Sequence, residues 1–312
     1  MARRQFRPVS YLITGIAVVA LGATACGAGG DGSSGGGDAG QPGTSAAETP
    51  TVAKDDALAA LVPADFAADG KIVVGQDQTY PPNEFVDDEN KVVGMDIDLG
   101  NAIALKLGLQ AEFQNTAFDA IIPGLTSGKY EMAMSSLTIN ADRLVKVDMV
   151  SYFSAGTSMA VLKGNPDKLD LADLCGKNVA VQKGTVQVED LEKKSAECKT
   201  ASKPEITVTQ FQNQTDATLA LTAKRAQAML ADSPVVDYAL KQTNGALEGA
   251  GEPYDSAPYG IILPKAKGEY SKAVQGAVQA LIEDGTYLKI MEKWGVEKGK
   301  IDKAEVNPAP AG

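Results

Sequence analysis

A chain of 312 residues, 44% hydrophobic and 22% charged, has a globular composition with room for about two domains of ordinary size. Its 29 Lys and Arg stand against 40 Asp and Glu, and the net charge of -11 argues against nucleic acid or an anionic membrane surface as partner, since both need a basic footprint. With no histidine and 3 cysteines, the chain cannot assemble a Ser-His-Asp triad or a Cys-His pair, and a zinc centre lacks its usual ligands.

In chain order, the first feature is an export signal. Arg3, Arg4 and Arg7 precede an uncharged, mostly apolar stretch over residues 9–25, and the small residues Ala23, Thr24 and Ala25 end at Cys26. The stretch contains Gly15 and Gly22 and is short for a membrane span, which takes about 20 residues. Its ending resembles a bacterial lipoprotein box, which implies cleavage after residue 25 and a lipid on Cys26. The Arg3-Arg4 pair leaves the export route open between the general and the twin-arginine pathways. Residues 27–47 are Gly/Ser-rich with almost no apolar side chains, so residues 26–56 read as a flexible leash. Cys175 and Cys198 form an even pair in an oxidising compartment, and a disulfide is the economical reading, worth roughly 3 kcal/mol in the chain-entropy model.

Strand and helix patterns then alternate. A β-branched strand over 72–75 is followed by alternation over 92–99, a helix to about 107 stopped by Gly108, and a strand over 110–113. A helix over 118–127 ends at Gly128, a strand covers 130–135, and Val161-Leu162 lead into an Asn165-Pro166 turn. Strands over 178–182, 206–211, 226–230 and 260–263 intercalate with helices over 186–197, 216–224 and 234–242, and residues 270–294 read largely as helix. The alternation predicts an α/β fold of two lobes with mostly parallel sheets. The acidic run over 87–90 reads as a solvated hairpin turn rather than a metal loop.

In open α/β sheets, ligands bind beyond the carboxyl ends of the strands. Four such ends carry chemistry: residues 76–80, the stretch SSLTINADR over 135–143, Lys183-Gly184-Thr185, and Asp232-Ser233-Pro234. Arg143, Thr138 and the Gly184-Thr185 turn suit a carboxylate, and Asp232 suits an ammonium, so the inventory fits a zwitterion. Plainer readings compete at each position. Arg143 has Asp142 beside it for a surface salt bridge, Ser233 and Pro234 make a good helix start, and Tyr80 and Phe118 are eligible for a core.

Residues 80–85, 93–99, 118–125, 127–130, 135–143, 181–185, 283–287 and 293–295 occur in an order that resembles family 3 of the bacterial extracellular solute-binding proteins, the polar amino-acid receptors of ATP-driven importers. The resemblance runs from about residue 71 to 296. It implies a two-lobe, periplasmic-binding-protein-like (type II) fold with a central ligand cleft and a hinge. Lobe 1 would comprise residues 57–156 and 257–312, lobe 2 residues 157–256, with crossings near 155–157 and 252–257. Arg143 and Thr138, helped by Gly184 and Thr185, would hold the ligand carboxylate; Asp232 with Ser135 and Ser136 would hold its ammonium. Tyr80 and Phe118 would flank the side chain, and Asp77 would meet its distal polar group. Gln187 reads equally as a ligand contact or a solvent-facing helix residue, and Asn83 stands where the family usually has an aromatic.

The implied protein is a monomer without cofactor or metal, held at the outer face of the cell membrane by its lipid alone, and partnered by a permease and, through it, an ATPase. It is not an enzyme. The ligand is a polar amino acid: Asp77 is compatible with a basic, amide or sulfur-containing side chain, whereas Lys183 would favour an acidic one. The rival readings are a small carboxylic-acid lyase or dehydratase on the same fold, recruiting Asp77 or Asp232 as general acid or base, and a ligand-binding sensor domain.

Overall fold

A computed structural model describes residues 52–310. The export signal, Cys26 and most of the leash lie outside the described residues. The β-branched run at Lys71–Gln76 forms a strand paired in parallel with Gln110–Asn115 on one side and Met132–Ala133 on the other. Helix Met95–Lys106 covers this sheet and is buried around most of its circumference, because the C-terminal helices Tyr270–Glu283 and Thr286–Trp294 pack on it in turn. A second parallel set joins Asn178–Gln182 to Thr207–Phe211 and Ala228–Asp232.

Two long antiparallel strands connect the sets. Asp148–Leu162 pairs with Tyr254–Leu263 from Leu263 opposite Asp148 to Tyr254 opposite Thr157. Beyond Thr157 the same strand pairs with Ala228–Asp232 and Leu247–Gly249. The expected mostly parallel sheets are therefore parallel pairs fused by antiparallel ones into one nine-stranded sheet, eight strands in a continuous path with Leu247–Gly249 off it.

Side chains switch cores along that strand. Met149, Val150, Tyr152 and Phe153 pack with residues of the first set and the C-terminal helices, whereas Met159, Ala160 and Val161 pack with the second. The first cores draw on residues 62–155 and again on 259–304; the second draw on 159–250, joined by Tyr80.

Other elements depart from the sequence pattern. The strand expected over 130–135 shrinks to Met132–Ala133, because Ser135 and Ser136 leave the ladder to bond the Glu84 carboxylate. The stretch 270–294 is two helices divided at Gly285. Ser233 does not cap its helix; it is the first helical residue, and Asp232 takes the N-cap position without a side-chain cap bond. Asp87 accepts the N-H groups of Glu89 and Lys91 at 2.9 and 2.8 Å, making the expected acidic turn between Glu84–Val86 and Val92–Val93. Cys175 and Cys198 are disulfide-bonded with Cα atoms 5.6 Å apart, tying helix Val186–Thr200 to the segment before its preceding strand. Among the described residues no helix is long and apolar enough to cross a membrane.

Candidate functional site

Where Lys71–Gln76 ends, the chain delivers Asp77 into the interior, 2% exposed. Its Oδ1 accepts the Thr79 N-H at 2.9 Å and the Thr79 hydroxyl at 2.6 Å; its Oδ2 accepts the Phe118 N-H at 3.1 Å and Gln182 Nε2 at 3.0 Å. Burial pushes the carboxyl's pKa up and these four donors oppose the shift. The other Gln182 amide atom, Oε1, is buried without a partner among the described residues.

Beneath the cleft lies a polar layer that local sequence patterns do not reveal. Ser135 Oγ accepts the Asp77 N-H at 3.0 Å and donates to Glu84 Oε1 at 2.9 Å; Ser136 Oγ accepts from Asn83 Nδ2 at 2.9 Å and donates to Glu84 Oε2 at 3.2 Å. Both hydroxyl protons thus face Glu84, and each oxygen has a lone pair but no proton left to offer. Ser136 holds φ +52°, and its N-H donates to Asp96 Oδ2 at 3.0 Å, which also accepts the Tyr152 hydroxyl at 2.8 Å. Glu84 and Asp96 are both completely buried. Desolvation raises the pKa of each, the charge of Asp96 raises Glu84 further, and Asp96 is pushed up to about 6. Asn83, where an aromatic was expected, is therefore scaffolding.

Arg143 rises from the short helix Ala141–Lys146, whose N-cap Asn140 accepts the Arg143 N-H at 2.9 Å. Its guanidinium lies over the Phe118 ring, 5.6 Å from the centroid, and donates to the carbonyls of Thr138 at 2.7 Å and Gly184 at 3.3 Å. It is 8% exposed, and no carboxylate among the described residues lies within 4.0 Å, so the alternative pairing with Asp142 is not made. Burial pulls its pKa down, while Glu189 and Asp232 hold it up from a distance.

The facing wall begins where Asn178–Gln182 ends. Gly184 turns with φ +80°, and Thr185 opens helix Val186–Thr200 while its hydroxyl donates to the Gln182 carbonyl at 2.8 Å. Gln187 is buried rather than solvent-facing; its Nε2 donates to Thr157 Oγ1 at 3.0 Å and to Asp232 Oδ1 at 2.7 Å. Asp232 Oδ2 accepts the Tyr259 hydroxyl at 2.7 Å, and the Asp232 N-H donates to the Tyr80 hydroxyl at 3.2 Å. Burial raises the Asp232 pKa, opposed by Tyr259, Gln187 and Tyr80. Lys183 pairs with Asp119 at 2.8 Å, so its charge is matched by protein and no longer argues for an acidic ligand.

The ten residues expected to bind ligand thus fall into one connected cluster around the cleft. Tyr259, Gln182, Glu84 and Asp96 join it without having been picked out, because each acts on a partner distant in sequence. Asp232 and Arg143 feel one another's charge yet stand more than 4.0 Å apart: two buried, opposite charges that do not neutralise each other.

Residues 72–297 match the family model for bacterial extracellular solute-binding proteins, family 3. The chain is similar to the arginine-binding protein ArgT of Corynebacterium glutamicum, 33% identical over 254 residues that span 81% of this chain and 83% of that protein. Among solved structures it resembles an ancestral arginine-binding protein bound to arginine, with TM-score 0.67, 38% identity, and coverage of 72% of this chain and 98% of that one. A similar likeness, TM-score 0.67 and 33% identity over 74% of this chain and 97% of the other, relates it to an ancestral amino-acid-binding protein that is a precursor of cyclohexadienyl dehydratase.

Proposed function

The chain belongs to family 3 of the bacterial extracellular solute-binding proteins, exported proteins that capture a polar amino acid for an ABC transporter, and from that premise we propose which amino acid it takes and how. One observation carries the assignment. Arg143 and Asp232 bring opposite buried charges to one cleft without pairing, and a zwitterion satisfies both at once, where closure over either alone would be costly. Arg143, the Thr138 stretch and the Gly184-Thr185 turn at a helix start take the α-carboxylate. Asp232 takes the α-ammonium, with the spare lone pairs of Ser135 and Ser136 as further acceptors.

Phe118 and Tyr80 flank the ligand side chain, which ends toward Asp77. The Asp77 carboxylate, held only by neutral donors, brings an unmatched negative charge there, and Gln182 Oε1 adds an acceptor with no partner among the described residues, so a donor-rich cation fits best. We assign arginine as the preferred cargo, in keeping with what the similar proteins are named for. The lobes, residues 57–156 with 257–312 and residues 157–256, close on it by bending near residues 155–157 and 252–257. We assign no turnover: the cleft carboxylates Asp77 and Asp232 each accept donors at both oxygens, and no histidine exists to share proton work. The mature protein acts as a monomer anchored through a lipid on Cys26.

Titration calorimetry of the mature chain against arginine, lysine, glutamine, cystine, glutamate and simple carboxylic acids tests this. Tightest binding by arginine is expected, with no product formed from any of them. A preference for glutamate would overturn the role of Asp77, and binding confined to acids without an amine would overturn the zwitterion itself.

A further inference from the structure

Outside the ligand cluster, the two lobes grip each other at a second point. Asp119 belongs to the short turn Phe118–Ala120 of the first lobe. Its Oδ2 lies 2.8 Å from Lys183 Nζ and its Oδ1 accepts Gln212 Nε2 at 3.0 Å, both donors coming from the other lobe. Those donors follow two adjacent parallel strands, Asn178–Gln182 and Thr207–Phe211, and the Lys183 N-H donates to the Phe211 carbonyl at 2.9 Å, which fixes the two donor-bearing turns of this lobe relative to one another. Backbone contact backs up the side chains. A Cβ on Gly184 would sit 2.9 Å from Asp119 Cβ and 3.2 Å from its Cα, so at this point the lobes approach as closely as a glycine permits.

Asp119 is poorly suited to bind the ligand itself, because its charge is matched by the Lys183 ammonium, whereas the donors to Asp77 and Asp232 are neutral. It sits instead at the rim, with side chains 54% exposed at Lys183 and 28% at Asp119. Its neighbour Phe118 lies under the Arg143 guanidinium and donates to Asp77, so the grip is one residue from the cleft wall. We infer that the Asp119–Lys183–Gln212 cluster is a closure latch, a set of contacts made only when the lobes meet, which sets how long a captured amino acid is held without choosing which one enters. The inference rests on the reading of the chain as a hinged amino-acid receptor.

Interactions absent from the open encounter act on release rather than capture. Stopped-flow binding with L-arginine is the measurement. Asp119→Ala is expected to raise the dissociation rate about 3- to 20-fold, the scale of one rim ion pair plus one hydrogen bond. The association rate and the ranking of amino acids stay unchanged. Lys183→Met moves the rate the same way, and the double variant releases no faster than Asp119→Ala, because the two residues act as one pair. Raising salt from about 0.05 to 1 M speeds release from the wild type and has little effect on either variant. Wild-type binding with unaltered release in both variants would overturn the latch alone, as would a changed ligand ranking, which would make Asp119 a ligand contact. A wild type that binds none of the amino acids would overturn the receptor reading beneath it.

Discussion

Arg143 holds a fixed positive charge against two backbone carbonyls and the face of Phe118, with no carboxylate within 4.0 Å among the described residues. Arg143→Ala should weaken amino-acid binding by about 2 to 5 kcal/mol, roughly 30-fold or more in Kd by calorimetry. The melting temperature of the ligand-free protein should hold, because a buried cation without an ionic partner contributes little to folding. Glu84 and Asp96 make the opposite kind of prediction. A carboxyl whose pKa is raised in the fold binds its proton more tightly there than in the unfolded chain, so stability grows as pH falls from above the folded value, about 6 for Asp96, toward the ordinary carboxylate range near 4. Thermal melts between about pH 7.5 and 4.5 should show Glu84→Gln losing much of this acid-side gain relative to wild type. The sequence exposed Asp77, Arg143 and Asp232 because charges directly behind apolar strands are conspicuous. It concealed Glu84, Asp96, Gln182 and Tyr259 because their significance lies in partners: Glu84 reaches Ser135 and Ser136 some fifty positions on, and Tyr259 supports Asp232 from another strand.

At the scale of elements, strand Asp148–Leu162 was the least legible part of the fold. A strand with one face buried alternates in polarity, but this one is buried on both faces and changes cores midway, so Ser, Gly, Thr, Met and Ala mix without a period. Its Gly156 marks the close approach to the returning strand: a Cβ there would lie 2.8 Å from the Tyr254 carbonyl oxygen and 2.9 Å from Ser256 Oγ. Gly156→Val should force the two connecting strands apart, lowering the unfolding free energy by about 1 to 3 kcal/mol in urea titration and loosening ligand-driven closure with it. The disulfide acts on a different part. Replacing Cys175 and Cys198 by serine, a pair 23 positions apart, should cost about 3 kcal/mol of unfolding free energy while the order of amino-acid affinities stays the same. Helices were easier to read, since glycine stops such as Gly108 and Gly128 and regular apolar spacing are local signals, whereas the break at Gly285 divides one expected helix into two.

For the molecule as a whole, the alternation of strands and helices was enough to anticipate two α/β lobes; their fusion into one nine-stranded sheet was not, because antiparallel joining by two distant strands leaves no local mark. Small-angle scattering should register a decrease in radius of gyration when arginine is added, and Gly184→Arg, placing bulk at the point where the lobes touch, should abolish it. The path of the chain has a consequence in time as well. Because the first cores need residues 259–304 as well as 62–155, the earliest apolar segments wait for the latest ones, while the cores built from residues 159–250 come almost entirely from one uninterrupted stretch. Refolding should therefore begin in the middle of the sequence, with the flanks joining around it afterwards once a long loop has closed. A polypeptide arriving residue by residue would complete its second half-shell before its first, and its opening segment would depend on chaperones or on speed until the closing helices arrive.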